Sequence, residues 1–344
     1  MSTPNANPLV QQRQFLAGEA VAVLPLGVVS VAGVDRLSWL HSLLSQNLVN
    51  LGEGASTSAL LLDPQGHVEH LIHVVDDGTT TWLITATDGV AGLMDWLKRM
   101  VFRKQLVIQD CSEELTVVGS WGKPVSELLG AGFEAASVVV WQASADVAPG
   151  GYRYGTAPDE PWLLFENLLT ADQLAQVTQK LALVGQAAPD ALRVAAHQVS
   201  AAELDDKTLP HELDLLATAV HLSKGCYRGQ ETVAKVHNLG HPPRRLVLLH
   251  LDGSEHELPL PGSPVFVAAM PGQPCGRVTS VAQHHAMGPV ALAVISRRTP
   301  VDAALVIQTD FGPVSATQEV IVPADAGKVA DVPRLPRLHL GGKK

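Results

Sequence analysis

Apolar and polar positions alternate, then cycle, then alternate again along the opening third of the chain. Val28 to Val31 reads as a short strand, turned at Gly33, and Asp35 to about Asn47 follows with helical spacing, since Leu37, Leu40 and Leu44 share one face. Asp35 stands where a side-chain N-cap belongs. Ser58 to Leu62 predicts a second strand, ended by Asp63-Pro64-Gln65-Gly66, a turn with proline at its second position, so His67 to Val75 returns as a hairpin. Asp76-Asp77-Gly78 turns the chain into the β-branched run Thr80 to Thr85, and Asp88 to Met100 resumes helical spacing. Strands near Leu106 to Ile108 and Leu115 to Val118 complete a mixed unit with helices on one face of an antiparallel sheet, so the predicted class is α+β.

A less regular stretch follows, with a helix expected near Ala171 to Leu183 and a strand-like segment at Ala191 to Ala196. From Arg244 onward, short β-branched runs alternate with Gly- and Pro-containing turns, the spacing of a small β-barrel. The expected divisions are an N-terminal α+β unit over 17–122, a middle unit over 123–242, a barrel over 243–322 and a flexible tail over 323–344. No internal repeat is visible.

Composition narrows the function classes. Apolar residues make up 46 % of 344 residues, enough for a large core shared by two or three units. No apolar stretch reaches the ~18 residues of a membrane span, and the N-terminus lacks the basic-then-apolar pattern of an export signal. The net charge is -10 with Lys and Arg scattered, so nucleic acid is not expected as a partner, and without a span neither is a membrane. The three cysteines form no CxxC pair, and His237, His241, His284 and His285 have no ligand spacing with Cys226, so no metal site is expected. A reduced, cytoplasmic compartment fits this cysteine usage.

The most informative stretch is Lys224-Gly225-Cys226-Tyr227-Arg228-Gly229-Gln230-Glu231-Thr232. Gly225 and Gly229 bracket a thiol and permit sharp backbone turns. Gln230 and Glu231 sit where a helix can begin, which puts Cys226 ahead of its positive end, and Lys224 lies two residues before the thiol. Both features favour a thiolate. The competing reading is a cysteine packed as a small apolar residue, the commoner state of an isolated thiol.

This stretch resembles the K-G-C-Y-x-G-Q-E signature of YgfZ proteins at every fixed position. Ala191-Leu192-Arg193-Val194 and Leu209-Pro210-His211-Glu212 are similar to the segments that precede that signature, and Gly33 to Leu40 resembles the family's G-x-D-x-x-x-F-L helix. Ser45-Gln46-Asn47 matches the usual T-x-D loosely, and Gly276-Arg277-Val278-Thr279-Ser280 resembles the barrel strand motif. The resemblance to the YgfZ/GcvT folate-binding family runs from about Val28 to Ile295. It implies a GcvT-like cloverleaf of mixed subdomains around a central funnel that holds tetrahydrofolate or a derivative.

The same resemblance implies site residues. Cys226 would be the reactive or ligand-contacting thiol, tuned by Lys224, with Gly225, Tyr227, Gly229, Gln230 and Glu231 shaping its loop. Arg193 would meet the folate's glutamate tail, and Asp159 and Glu160 its pterin. His197 stands where relatives usually show glycine. Aminomethyltransferases carry an acidic pair after the first hairpin turn; Glu69 and His70 fall there, so glycine-cleavage chemistry is disfavoured. The leading expectation is an accessory protein for synthesis, maintenance or repair of iron–sulfur enzymes, acting with those enzymes or with cluster-assembly proteins and without multiple turnover of its own. The alternatives are a folate-dependent one-carbon transferase or demethylase using Glu69, and a cysteine hydrolase pairing Cys226 with His237 or His221.

Overall fold

The computed structural model describes residues 7–130, 133, 138–144, 146–156, 162–253, 258–310 and 312–330. After helix α1 (Pro8–Leu16), strand β1 (Ala20–Val23) and strand β2 (Leu26–Ala32) diverge into different sheets. The first sheet has the order β3-β4-β5-β2-β6 and is antiparallel throughout, with β3 (Ser56–Leu62), β4 (Val68–Asp76), β5 (Thr80–Ala86) and β6 (Val107–Asp110). Helix α2 (Arg36–Leu43) and helix α3 (Val90–Met100) cover it. Val90, Leu93, Met94 and Leu97 recur at helical spacing and are the buried residues of α3. The Asp63 to Gly66 turn forms as expected between β3 and β4.

The second sheet has the order β10-β1-β7-β9-β8, with β7 (Thr116–Trp121), β8 (Val139–Gln142), β9 (Leu164–Leu169) and β10 (Ala182–Val184). Helix α4 (Val125–Leu129) and helix α5 (Ala171–Lys180) accompany it, and Thr170 with Gln173 closes a capping box on α5. The strand expected at Leu115 to Val118 therefore does not complete the first sheet. It pairs with β1 and β9, and the stretch expected as a helix to Leu183 ends at Lys180, its last residues running parallel to β1.

Two further local expectations change. Ala191 to Ala196 is not strand-like: it lies in helix α6 (Ala187–Ala195), where Ala188, Ala191 and Leu192 are buried at i, i+3 and i+4. Asp35 makes no capping bond; its carboxylate lies 3.1 Å from Lys104 Nζ. Helix α2 also stops at Leu43, because Ser45 leaves the helix to accept the Leu60 N–H and donate to the Ala219 carbonyl.

Helix α7 (Gln230–Leu239) leads into a closed six-stranded barrel of order β11-β14-β13-β12-β15-β16. Its strands are β11 (Arg244–Leu251), β12 (Pro264–Val267), β13 (Met270–His284), β14 (Gly288–Ser296), β15 (Leu305–Thr309) and β16 (Gly312–Val320). Along β11 the alternation is strict: Val247 and Leu249 fill the barrel, while Leu246 and Leu248 face a core shared with Leu60, Leu62, Val194, Leu216 and Tyr227. That shared core joins barrel, middle segment and first sheet. Arg244 reinforces the joint, its guanidinium reaching Asp205 at 2.6 Å and the fully buried Glu212 at 2.7 Å. The stretch expected to begin a tail at 323 packs at first: Ala326 is buried and Val329 N–H donates to the His237 carbonyl. The α+β class and the terminal barrel are both present.

Candidate functional site

Where the two sheets face each other, His73 on β4 lies flat against Trp141 on β8, ring centroids 3.8 Å apart and planes 5° from parallel. Trp141 is held by its indole N–H, which donates to the Thr57 carbonyl at 2.9 Å. His73 is held by Glu166, the register partner of Trp141 on β9, whose two carboxylate oxygens lie 2.9 and 3.0 Å from Nδ1. Against a carboxylate that ring nitrogen is the donor.

The stacked pair borders two cavities. The larger, about 790 Å³, is walled by Leu24, Leu71, Ile84, Trp141 and Trp162, with Glu166, Gln186, Arg193 and Arg277 as polar lining. The smaller, about 320 Å³, is lined on its polar side by Arg153, His197, Gln198 and Asp214. Both volumes fall in the ~300–1,000 Å³ range of small-molecule sites. Burial raises the Asp214 carboxyl to about 6, although the Tyr154 and Gly155 N–H groups and the charge of Arg153 oppose that shift.

Arg193 does line the larger cavity, yet its charge is taken. Its Nη1 donates to Glu203 at 3.0 Å and to the Gln198 carbonyl at 2.8 Å, and Nη2 donates to Ser280 at 2.8 Å. Glu203 is wholly buried, so Arg193 serves first as its counter-ion. Arg277, on the same wall, is about a third exposed and meets Asp205 only at 3.4 Å. Asp159 and Glu160 lie outside the described residues.

The thiol loop is elsewhere. Cys226 is exposed and lines neither cavity, and its side chain makes no hydrogen bond or ion pair among the described residues. Lys224 is buried and points away from the sulfur: Nζ donates to the carbonyls of His41, Leu44 and Gln46, which closes the end of α2. Burial lowers this ammonium to about 8. Tyr227 is buried in the shared core, where desolvation pushes its hydroxyl pKa upward. Gln230 donates weakly to the Lys224 carbonyl at 3.4 Å, and Glu231 is exposed on the first turn of α7.

Gly229, at φ +80°, is pressed on the hairpin turn so closely that a Cβ there would stand 2.6 Å from the Asp63 carbonyl oxygen and 2.9 Å from Gly66 Cα. Gly225 has open space around it. Glu69, on the outer face of β4, grips Arg228 at 2.7 Å and 3.2 Å and lines neither cavity. Of the two histidines considered as a base for the thiol, His237 has Nδ1 against the Tyr154 hydroxyl at 2.7 Å, and His221 Nδ1 accepts the Ser223 N–H.

No family model matches the chain. The chain is 27 % identical over 294 residues to the tRNA-modifying protein YgfZ of Edwardsiella ictaluri, across 82 % of this chain and 86 % of that one. It is 25 % identical over 233 residues to the tRNA-modifying protein YgfZ of Colwellia psychrerythraea, across 65 % and 69 %. The mitochondrial iron-sulfur cluster assembly factor IBA57 homolog of Mycosarcoma maydis is 24 % identical over 244 residues, across 65 % of this chain and 55 % of its own length. The chain is a homologue of the YgfZ and IBA57 proteins.

Its fold is that of the glycine cleavage system aminomethyltransferase T from Bartonella henselae, matched with a TM-score of 0.74 over 94 % of this chain and 91 % of that one, at 16 % identity. Against the YgfZ-like signature, the structure separates residues that sequence reading grouped. Arg193 belongs to the cavity, whereas the signature loop belongs to a clasp on the first sheet. Glu166, His73 and Trp141 escaped sequence reading; the available signal was the adjacent polar pair Glu166-Asn167 inside the otherwise apolar run Trp162 to Leu169.

Proposed function

We propose that the chain binds a reduced folate, tetrahydrofolate or a derivative, in the larger cavity and acts as an accessory factor for iron–sulfur enzymes in the cytoplasm. The observation that carries this reading is the union of two tryptophans and one buried carboxylate in a cavity of about 790 Å³. A flat pterin needs an apolar slot and an acceptor for its N–H-rich edge. Trp141 and Trp162 supply the slot, and Glu166, only 2 % exposed at its side chain, supplies the acceptor. Gln186 fits the same demand: its Oε1 is buried on that wall with no hydrogen-bond partner among the described residues. Arg277 is the cation available at the rim for a glutamate tail. When bound, a folate supplies a carrier for one-carbon groups; the chain's own residues orient it, exclude water and hold a proton on His73.

The names of the relatives support the second half of the proposal, since IBA57 proteins are iron–sulfur cluster assembly factors and YgfZ proteins are named for tRNA modification. Cys226, exposed on its loop, is a contact for such a partner. The transferase reading loses its base, because Glu69 lies on the outside of the sheet and lines neither cavity.

Calorimetric titration with tetrahydrofolate tests the ligand. Wild type and Cys226→Ala should bind alike, while Glu166→Gln and Trp141→Ala should each weaken binding about tenfold or more, about 1.4 kcal/mol. Absence of binding to any folate overturns the ligand assignment. For the role, iron–sulfur enzyme activity in cells lacking the protein should return with wild type but not with Cys226→Ala.

A further inference from the structure

Outside the lining of both cavities, the first sheet ends on an open edge. Among the described residues β6 pairs with β2 alone, and Val107, Gln109 and Asp110 on it are exposed. The segment entering β6 carries an unusual corner. Phe102 is 75 % exposed and Val34 87 %, and Met100 and Val107 are exposed beside them. The backbone segments that carry them meet. Val107 is the register partner of Ala32, the Trp39 indole N–H donates to the Met100 carbonyl at 3.2 Å, and the Gly33 turn lies directly on the Gln105 backbone. A cluster of exposed apolar side chains of this kind marks an interaction site more often than chance placement does.

The corner is also cationic in an acidic chain. Lys98, Arg99, Arg103 and Lys104 fall within one short segment, against a net charge of -10. Lys98 and Arg99 have a local role at the negative end of α3. Lys104 pairs with Asp35 at the surface, a contact worth under about 1 kcal/mol. Arg103 has no such account. It holds a φ of 55°, a conformation costly for a side-chain-bearing residue, and its guanidinium sits 5.1 Å over the Phe102 ring.

We propose that this corner docks an extended, acidic segment of a partner protein. The segment adds a strand to β6, sets an apolar side chain against Phe102 and Val107, and turns carboxylates toward Arg103 and Lys104. An open strand edge supplies main-chain donors and acceptors for a peptide, and the flanking pockets and charges supply selectivity. A second copy of this chain is another occupant that an open edge admits, and the test separates the two. RNA fits poorly: it has no use for an unpaired strand edge.

The test uses the full chain and short labelled peptides of alternating Val and Thr that carry either Glu or Lys at one end, read by fluorescence anisotropy. The Glu-ended peptide should bind at least about tenfold more tightly than the Lys-ended one, with the preference fading in high salt. Phe102→Asp should weaken that binding about tenfold, and Arg103→Glu should reverse the charge preference. Both positions are exposed, so an unchanged urea midpoint shows that folding is intact. Equal binding of the two peptides, or acidic-peptide binding indifferent to both substitutions, overturns the proposal. Tighter binding of a short single-stranded RNA at the same residues overturns it in favour of nucleic acid. A dimer in sedimentation that Phe102→Asp dissociates overturns it in favour of self-association.

Discussion

The Lys224 ammonium lies 3.0 Å from the Gln46 carbonyl, a residue 178 positions earlier in the chain. The same nitrogen donates to the carbonyls of His41 and Leu44, so all three of its protons are used at the negative end of α2. Lys224 thereby fastens the thiol loop to the first sheet's helix.

Lys224→Met should therefore destabilise the protein by roughly 2–4 kcal/mol, since it leaves three carbonyls short of a donor in a buried place. Lys224→Arg should not restore it, because a planar guanidinium cannot aim three donors at converging carbonyls. Urea unfolding midpoints measure both. A neutral Lys224→Met that altered only thiol reactivity would instead assign the ammonium to Cys226.

The two glycines of the loop should behave differently. Gly229→Ala meets the Asp63 carbonyl and must hold a positive φ, so a loss of about 1–3 kcal/mol is expected. Gly225→Ala meets nothing within 4 Å and should change the thermal midpoint little. Equal effects would mean that the close approach to the hairpin is not what Gly229 provides.

Acid stability should show a hidden cancellation. His211 is buried with its Nε2–H donated to the Val233 carbonyl and its Nδ1 unpaired among the described residues, and burial, with His237 nearby, lowers it to about 4. Its contribution is full above pH 6.5 and is lost as pH falls toward 4, roughly 3 kcal/mol in all. Asp214, raised to about 6, acts oppositely: its ionisation penalises the fold above pH 6 and is relieved as pH falls toward 3.8, again by roughly 3 kcal/mol. Wild-type stability should thus vary little from this pair between pH 6.5 and 4. Asp214→Asn should expose the His211 loss, steepening the fall in urea midpoint over that window; an unchanged slope would count against the neutral buried histidine.

Glu69 and Arg228 offer the contrasting case of a visible ion pair with little weight. Both side chains are about a third exposed, so Glu69→Gln should cost under about 1 kcal/mol. It should also leave tetrahydrofolate affinity unchanged. A large loss of affinity would return Glu69 to the ligand.

Local features were legible because their causes are local. The Asp63 to Gly66 turn, the apolar stripe of α3 and the barrel's alternating strands each follow from a short window of residues. What could not be read is mostly pairing across distance. Nothing near Thr116 announces that β7 joins β1 and β9 rather than β6, and Ala191-Leu192-Arg193-Val194 is too short a window to separate a helix from a strand. The site divides the same way. Arg193 was found on its cavity, but its partner Glu203 comes from a later turn and takes its charge. Lys224 stands two residues from Cys226 in sequence, yet the loop turns one inward and the other out. Glu166 finds its partner in His73, 93 positions away, a pairing that no short window of residues contains.

The signature loop holds Lys224 in the end of α2, Gly229 on the hairpin and Tyr227 in the core shared with the barrel, while leaving the Cys226 sulfur in solvent. The thiol is thus an outward gauge of how firmly sheet and barrel are clasped. Anything that tightens or slackens the three-way junction, including occupation of the cavity between the sheets, should register at Cys226 as a change in alkylation rate without the ligand ever touching the sulfur.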